Sequence, residues 1–314
     1  MTVAACLLIY STAVLVIVPA LLRSLTEEGH APRLGVTAWL VAVASVLGTW
    51  VVIAFLLLSA VVHAYEHHAG LMRTCASRLH AVASGDAGIL PQIAALGIAL
   101  GVGAAVLVIA ARIATSARRL RASAREHADG IRLVGRHIGI RDVVVVEADD
   151  PAAYCLAGGR STIVVTSATL DALTENELAA VLAHERAHLT GRHWLIVTAL
   201  RSLNKVLPRI GLISQAAQHI PRLLEMWADD VATRDHDRRN LLSGLMALCG
   251  AVPSEAMAAS GVAVLARAER LADPASAQAT RRASAALSAA IAVLGTGPWL
   301  ITIAVCVISL SCAM

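Results

Sequence analysis

A five-residue motif, His184-Glu185-Arg186-Ala187-His188, contains the residue types that bind and use a catalytic metal ion. On a helix, side chains four residues apart lie on one face, so both imidazoles can bind a single Zn²⁺. Glu185 then lies beside the metal, where its carboxylate can take a proton from a zinc-bound water whose pKa the metal has lowered. The motif therefore predicts peptide hydrolysis, with Glu185 as general base and not as a ligand.

A catalytic zinc site also needs a third protein ligand and leaves one coordination position open. The stretch EMWAD reads as part of a second helix and supplies Glu225 as that ligand. Asp229, four residues later on the same face, can accept the free N–H of a ligating histidine and fix its tautomer. These residues predict one zinc ion per chain, bound by His184, His188 and Glu225.

Three further features could carry chemistry. His236 follows the acidic helix and could stabilise the oxyanion of the tetrahedral intermediate, with a solvated charged surface as the alternative. Cys155 reads as a small buried residue, because the sequence places no base beside it. The residues HAYEH at 63–67 form the inverted motif HxxEH, whose place at the end of an apolar segment favours a polar cap at the membrane surface over an external metal site.

Long apolar segments must position these residues. Of the 314 residues, 57% are hydrophobic and 15% are charged, with a mean hydropathy of +0.70. This composition excludes a disordered chain, a collagen and a disulfide scaffold. Four segments without Asp, Glu, Lys or Arg reach the roughly 20 residues that cross a bilayer: 3–22, 36–62, 89–111 and 283–310. They predict an α-helical integral membrane protein with four transmembrane helices, three before the polar region and one after it.

Arginines predict the orientation of these helices. They cluster at 112–125, after the third span, and at 281–282, before the fourth, and such positive flanks favour the cytoplasm. The region between them is therefore predicted to be cytoplasmic, with both termini outside. Because these arginines flank the predicted spans, we interpret them as determinants of membrane orientation, and no direct nucleic-acid binding is predicted.

The polar region mixes strand and helix patterns. The β-branched runs 143–147 and 161–166 predict strands. Thr174, with Glu177 three residues later, forms a capping box that opens the HExxH helix. His193 opens an apolar stretch to residue 214 that predicts an amphipathic helix against the membrane. The domains are thus 1–111 with three spans, 112–282 as an inserted, mainly helical α+β zincin-like metallopeptidase domain, and 283–314 with the last span.

Three stretches in this order resemble the regulatory membrane zinc metallopeptidases of the BlaR/MecR type and, more distantly, the HtpX and CAAX-prenyl-protease group. They are GGRSTIVVT, LTENELAAVLAHERAH and EMWADDVA, which are similar to the family's edge strand, HExxH helix and ExxxD helix. The segment RAERL at 267–271 also resembles the region before the family's last span. The resemblance implies the same zinc ligands, with Glu185 as general base and Asp229 as the acceptor of the free N–H of a ligating histidine. It also implies a multi-pass protein of the bacterial inner membrane.

The resemblance also implies a substrate and a way to bind it. Thr162, Ile163, Val164 and Val165 would form an edge strand that binds the substrate backbone by β-augmentation. The substrate would be a cytoplasmic BlaI-like transcriptional repressor, cleaved in response to cell-wall or β-lactam stress. Related sensors carry a penicillin-binding domain after the fourth span, which this sequence lacks. The signal is therefore expected to enter through the short outside loops, a homo-oligomer or a separate sensor partner.

Three other functions are left open. A quality-control protease for damaged membrane proteins would use the same site and differ only in its substrates. A metal transporter using the His-rich loop is disfavoured, because the four predicted spans contain no Asp, Glu, Lys or Arg to line a pathway. An inactive membrane scaffold is disfavoured by the intact Glu185, since a non-catalytic zinc site has no need of that carboxylate.

Overall fold

The chain folds into long apolar helices and a smaller mixed domain. The computed structural model describes residues 3–66, 89–140, 142–156, 162–249 and 257–311. Its helices are α1 (Val3–Thr26), α2 (Pro32–Glu66), α3 (Ile89–Val134), α4 (Ser167–Ala172), α5 (Glu175–Thr190), α6 (His193–Val206), α7 (Gly211–Ala232), α8 (Arg238–Cys249), α9 (Met257–Ala272) and α10 (Ala277–Ser311). Its strands are β1 (Arg136–His137), β2 (Val143–Val146), β3 (Ala153–Leu156) and β4 (Thr162–Thr166).

Three of the described helices are long and apolar enough to cross a membrane, over Val3–Thr26, Pro32–Leu56 and Ala277–Val307. A helix suits that environment because it satisfies its own backbone hydrogen bonds. The predicted spans 3–22 and 36–62 fall in α1 and α2, and 283–310 falls in α10. The predicted span 89–111 falls in α3, but many of its side chains lie outside the described residues, as do those of the HxxEH motif.

The four strands form one sheet in the order β1-β2-β4-β3. β4 pairs in parallel with β2 and antiparallel with β3. The prediction that Thr162–Val165 form an edge strand is therefore wrong. Every residue of β4 is buried, as is typical of an apolar run between two neighbouring strands. The chain instead places β3 outside β4, so Ala153–Leu156 form the edge on that side of the sheet.

Helix α7, which carries Glu225, packs directly on the candidate membrane helices. One apolar core joins Leu22 of α1, Trp39 of α2 and Leu223 of α7. Arg222 of α7 donates a hydrogen bond to the carbonyl of Thr26 at 2.9 Å, which satisfies an acceptor at the end of α1. Arg270 of α9 donates to the carbonyl of Gly29 in the α1–α2 loop. These contacts hold the ExxxD helix against the ends of two candidate spans.

A proline in α10 creates a polar point that ties three apolar helices together. Pro298 has no N–H, so the carbonyl of Leu294, four residues earlier, has no helical donor. The hydroxyls of Tyr10 of α1 and Ser45 of α2 lie within donating distance of that oxygen, at 3.0 and 2.9 Å, and 2.9 Å from each other. Because hydrocarbon offers no other donor, the two hydroxyls connect α1 and α2 to α10.

We expect removal of both hydroxyls to cost more than the sum of the single changes. Tyr10→Phe or Ser45→Ala leaves the Leu294 carbonyl with its other donor, so each should lower the free energy of unfolding by only about 0.6 kcal/mol. The double variant leaves the carbonyl without either donor and should lose about 1 kcal/mol more than the sum. Denaturation in detergent measures this coupling.

Thr12→Val is the matched control, because the hydroxyl of Thr12 donates to the carbonyl of Leu8 in its own helix and, among the described residues, to no other helix. It should show no coupling with Ser45→Ala. Strictly additive losses for Tyr10→Phe and Ser45→Ala would show that the two hydroxyls do not share the Leu294 carbonyl.

Candidate metal centre

Two buried histidines project from one face of α5. The first turn of the helix is fixed at Thr174, whose backbone N–H and hydroxyl both donate to the Glu177 carboxylate at 2.9 Å. His184 and His188 are only 6% and 9% exposed. Their Nε2 atoms face each other at 3.1 Å, as the spacing of four residues predicts.

Glu225 of α7 completes a group of three metal-binding side chains. Its two carboxylate oxygens lie 3.4 Å from Nε2 of His184 and 3.5 Å from Nε2 of His188. Ligands at about 2.0–2.1 Å from a tetrahedral Zn²⁺ are about 3.3 Å from one another. The three separations agree with that geometry, so the donors that are present fit a zinc ion.

The second nitrogen of His184 faces Asp229. Nδ1 of His184 lies 2.9 Å from Oδ1 of Asp229, which is 1% exposed. A carboxylate at Nδ1 favours the tautomer that carries the proton there and leaves Nε2 free to bind a metal. This is the position predicted for Asp229 from its spacing after Glu225.

At His188, the place beside Nδ1 that Asp229 occupies at His184 is taken by another histidine. Nδ1 of His193, the first residue of α6, lies 2.8 Å from Nδ1 of His188. This close approach depends on Gly191 in the turn before α6, because a Cβ at that position would collide with the ring of His193. Burial lowers the pKa of His193 to about 4, so its Nδ1 can accept the proton of His188. From the sequence, His193 was predicted only as the start of an amphipathic helix.

A buried arginine joins the two acidic residues of α7. Arg267 of α9 donates to both carboxylate oxygens of Asp229, at 2.8 and 2.7 Å. Its Nη1 also lies 3.1 Å from Glu225. Burial by itself would raise the pKa of both carboxyl groups, but the bonds to Arg267 and to the histidines outweigh it and lower the pKa. Both groups are therefore carboxylates, the form that binds a cation.

Sequence reasoning did not assign a role to Arg267. It lies 38 residues after Asp229 on another helix, so no helical spacing connects the two residues. The only signal was the resemblance of 267–271 to a family segment, which marked the region without giving this side chain a contact.

Glu185 occupies the flank of α5 next to the sheet. Burial raises the pKa of its carboxyl group, as suits a general base that operates near neutral pH. Cys155 of β3 lies beside it, and burial together with the charge of Glu185 raises the pKa of the thiol to about 12. The thiol therefore stays protonated at neutral pH and is not a nucleophile. Its position shows that the edge strand β3 passes directly beside Glu185.

His236 is not brought to this cluster. It lies after α7 and lines a groove with Ala187 of α5 and Trp227 of α7. These residues occupy flanks of the two helices other than those that carry His188 and Glu225. Among the described contacts, none joins His236 to a metal-binding residue, and Arg267 is the cation that lies beside them.

The comparison with protein families decides the assignment. The model of peptidase family M48 matches residues 114–304. The chain belongs to peptidase family M48. No curated protein and no solved structure shows significant similarity to the chain. The M48 match contains the whole metal-binding cluster, and M48 peptidases are zinc-dependent. The protein is therefore a metallopeptidase, and zinc is the ion that its cluster fits.

We expect Glu225→Ala to lose both zinc and peptidase activity. The change removes one of three ligands and leaves two imidazoles, which should weaken zinc binding by about a hundredfold or more. Metal analysis after dialysis and a peptide-cleavage assay measure the two losses. Glu175→Gln, an exposed change in the first turn of α5, is the control. Full zinc retention by Glu225→Ala would show that another residue supplies the third ligand.

Zinc binding should also tighten as the pH rises toward 9. In the metal-free site, burial disfavours the charged form of His184, but hydrogen bonds with Asp229 and Glu225 outweigh it and raise the pKa to about 9. Zinc needs the neutral imidazole and must displace that proton below pH 9. The apparent association constant should therefore rise about tenfold per pH unit between about pH 7 and 9. Competition titration against a chelator measures the slope, and a constant independent of pH would contradict the prediction.

Proposed function

We propose that this M48 peptidase is an integral membrane zinc endopeptidase that cleaves extended segments of protein substrates. The observation that supports the proposal is the convergence of His184, His188 and Glu225 beside a buried Glu185 and an edge strand. When bound, the zinc ion would polarise the peptide carbonyl and acidify the attacking water.

The residues of the chain would divide the remaining chemistry. Glu185 takes one proton from the attacking water, and the oxygen of that water forms the new bond to the carbonyl carbon. Glu185 then passes the proton to the amide nitrogen, so that the C–N bond breaks and a neutral amine leaves. Asp229 and His193 hold the imidazoles of the two ligands in orientation throughout. This assignment keeps the roles that the sequence predicted for Glu185 and Asp229 and adds His193.

Strand β3 is the element that would bind the substrate backbone. Among the strands that the structure describes, β3 pairs only with β4, and its outer edge has no strand beside it. An extended peptide can add to such an edge through backbone hydrogen bonds. Since Cys155 on β3 faces Glu185, a peptide bound there would run close to the base. The β-augmentation proposed from the family resemblance thus moves from β4 to β3.

The proposed substrate is a cytoplasmic BlaI-like transcriptional repressor, cleaved as part of a response to cell-wall or β-lactam stress. The resemblance to BlaR/MecR peptidases and the arginines that flank the polar region support it, because they predict a peptidase domain in the cytoplasm of a bacterial cell. Gly130→Cys tests this orientation. An impermeant thiol reagent should not label residue 130 in intact cells, and labelling would place the domain outside.

A second candidate is the quality-control protease for membrane proteins. The observation that favours it is the packing of α7 on α1 and α2, which keeps Glu225 close to the ends of two candidate spans. A cleft near the membrane surface would be within reach of the loops of other membrane proteins.

Proteomics of cleavage fragments distinguishes the two substrate classes. Cells that produce the intact protein are compared, under cell-wall stress, with cells that produce Glu185→Gln. One Glu185-dependent cut in a DNA-binding repressor would support the regulatory role. Fragments from many membrane proteins would support quality control, and the absence of any Glu185-dependent fragment would contradict both.

A further inference from the structure

A groove with a volume of about 570 Å³ lies between α5 and α7, away from the catalytic cleft. Ala183 and Ala187 line it on α5, and Trp227 lines it on α7. At about 100° per residue, Ala183 lies about 100° around α5 from His184, and Trp227 lies about 160° around α7 from Glu225. The groove therefore opens on sides of α5 and α7 other than those that carry His184 and Glu225.

Arginines dominate the charge of this groove. Arg33, Arg186 and Arg234 line it, against Asp235 as the acidic residue among the described lining. Arg186 donates to both carboxylate oxygens of Asp142 at 3.2 Å, which uses much of its charge. Arg33 and Arg234 are exposed, and the described part of the chain provides no ion-pair partner for either. Two guanidinium groups can thus bind an anion, and their planar donor sets suit a phosphate.

The position of Arg33 indicates where that anion would come from. Arg33 is the second residue of the candidate span Pro32–Leu56, so it lies where the apolar segment meets the polar domain. Its guanidinium lies 5.6 Å from the ring of Trp227. Tryptophan is enriched at the headgroup level of a bilayer, and arginine there keeps its charge in the polar layer. With Pro32–Leu56 in a bilayer, the groove would therefore open at the depth of the lipid phosphates.

We propose that this groove binds the phosphate group of an anionic phospholipid between Arg33 and Arg234. The lipid would also contact Trp227, which is connected to the metal centre through His193. The ring of Trp227 lies 4.7 Å from that of His193, and His193 contacts the ligand His188 at 2.8 Å. A lipid in the groove would thus lie against Trp227, whose ring contacts the residue that orients His188.

Binding can be measured without any peptidase assay, on the full chain in a neutral detergent. Dioctanoyl phosphatidylglycerol and dioctanoyl phosphatidylcholine are titrated separately and the bound complexes are counted by native mass spectrometry. We expect the anionic lipid to bind about 25-fold more tightly than the zwitterionic one, because each of the two arginines contributes about fivefold. Arg33→Gln/Arg234→Gln should lose most of this preference, about fivefold for each arginine.

Arg136→Gln is the matched control, because it removes an exposed arginine on β1 that does not line the groove. It should keep the full preference for phosphatidylglycerol. If the double variant unfolds at a lower temperature than the intact protein, Arg234→Gln alone is used, and it should lose about fivefold.

Two further probes, inorganic phosphate and an acidic peptide, identify which ligand the groove prefers. If inorganic phosphate displaces the lipid, the groove recognises the phosphate group itself, whether it is free or part of a lipid headgroup. If inorganic phosphate does not displace the lipid, the result supports the lipid as the ligand. Equal binding of the two lipids, or a preference that survives in the double variant, would overturn the proposal. Binding of an acidic peptide in place of phosphatidylglycerol would also overturn it.

Discussion

Glu185→Gln should reduce peptide hydrolysis by about a thousandfold while the protein keeps its zinc. The amide cannot accept a proton from the attacking water, but it leaves His184, His188 and Glu225 unchanged. It also removes a buried carboxyl group whose pKa is raised by that burial, so no loss of stability is expected. Turnover of a peptide substrate and the zinc content of the same preparation test the prediction.

Glu175→Gln is the control for this change, because it removes an exposed carboxylate from the same helix. It should keep both zinc and activity. If Glu185→Gln kept more than about a tenth of the activity, proton transfer through Glu185 would not be the catalytic step. If it lost zinc, Glu185 would be a ligand, and the division of roles between the two glutamates would be wrong.

Arg267→Met should lower the free energy of unfolding by about 3–5 kcal/mol. Arg267 is 9% exposed and donates to both oxygens of Asp229, which is 1% exposed. Its removal takes two charge-assisted hydrogen bonds from a buried carboxylate and leaves His184, 2.9 Å away, as its remaining counter-charge, so the loss should exceed that of an exposed pair. Thermal or chemical denaturation of the metal-free protein measures the loss.

A second substitution tests the cause. Asp229→Asn in the Arg267→Met background removes the buried charge that Arg267 balanced and keeps an oxygen that can accept from His184, so it should recover much of the lost stability. Arg136→Gln breaks an exposed pair with Glu147 at 3.5 Å and should change stability little. If Asp229→Asn gave no recovery, the loss would come from packing around Arg267 and not from the charge.

Local spacing was enough to predict part of the metal centre. His184 and His188 are four residues apart on one helix, and Asp229 follows Glu225 by four on another. At that separation the geometry of the helix itself puts two side chains on one face. Each pair lies on one face of its helix as the spacing predicts, and the packing of the two helices brings the pairs together.

Other contacts of the site could not be predicted in this way. Arg267 and Asp229 are far apart in sequence, and only the packing of α9 against α7 brings them together. His193 reaches His188 through a turn at Gly191 that no periodic pattern describes. The position of β4 in the sheet could not be predicted either. Its β-branched run predicts a strand but does not indicate whether that strand lies at the edge or in the interior of the sheet.

The sequence by itself determined the apolar helices, the pair of histidines with Glu185 between them, and the acidic helix. Each of these depends on residue type and on spacing within one element. The tertiary structure decided which strand is free at the edge, which arginine balances Asp229, and where Glu225 lies relative to the histidines. Those properties depend on contacts between elements that are distant along the chain. Such contacts form when apolar surfaces bury one another and when buried charges find partners, and local periodicity encodes neither choice.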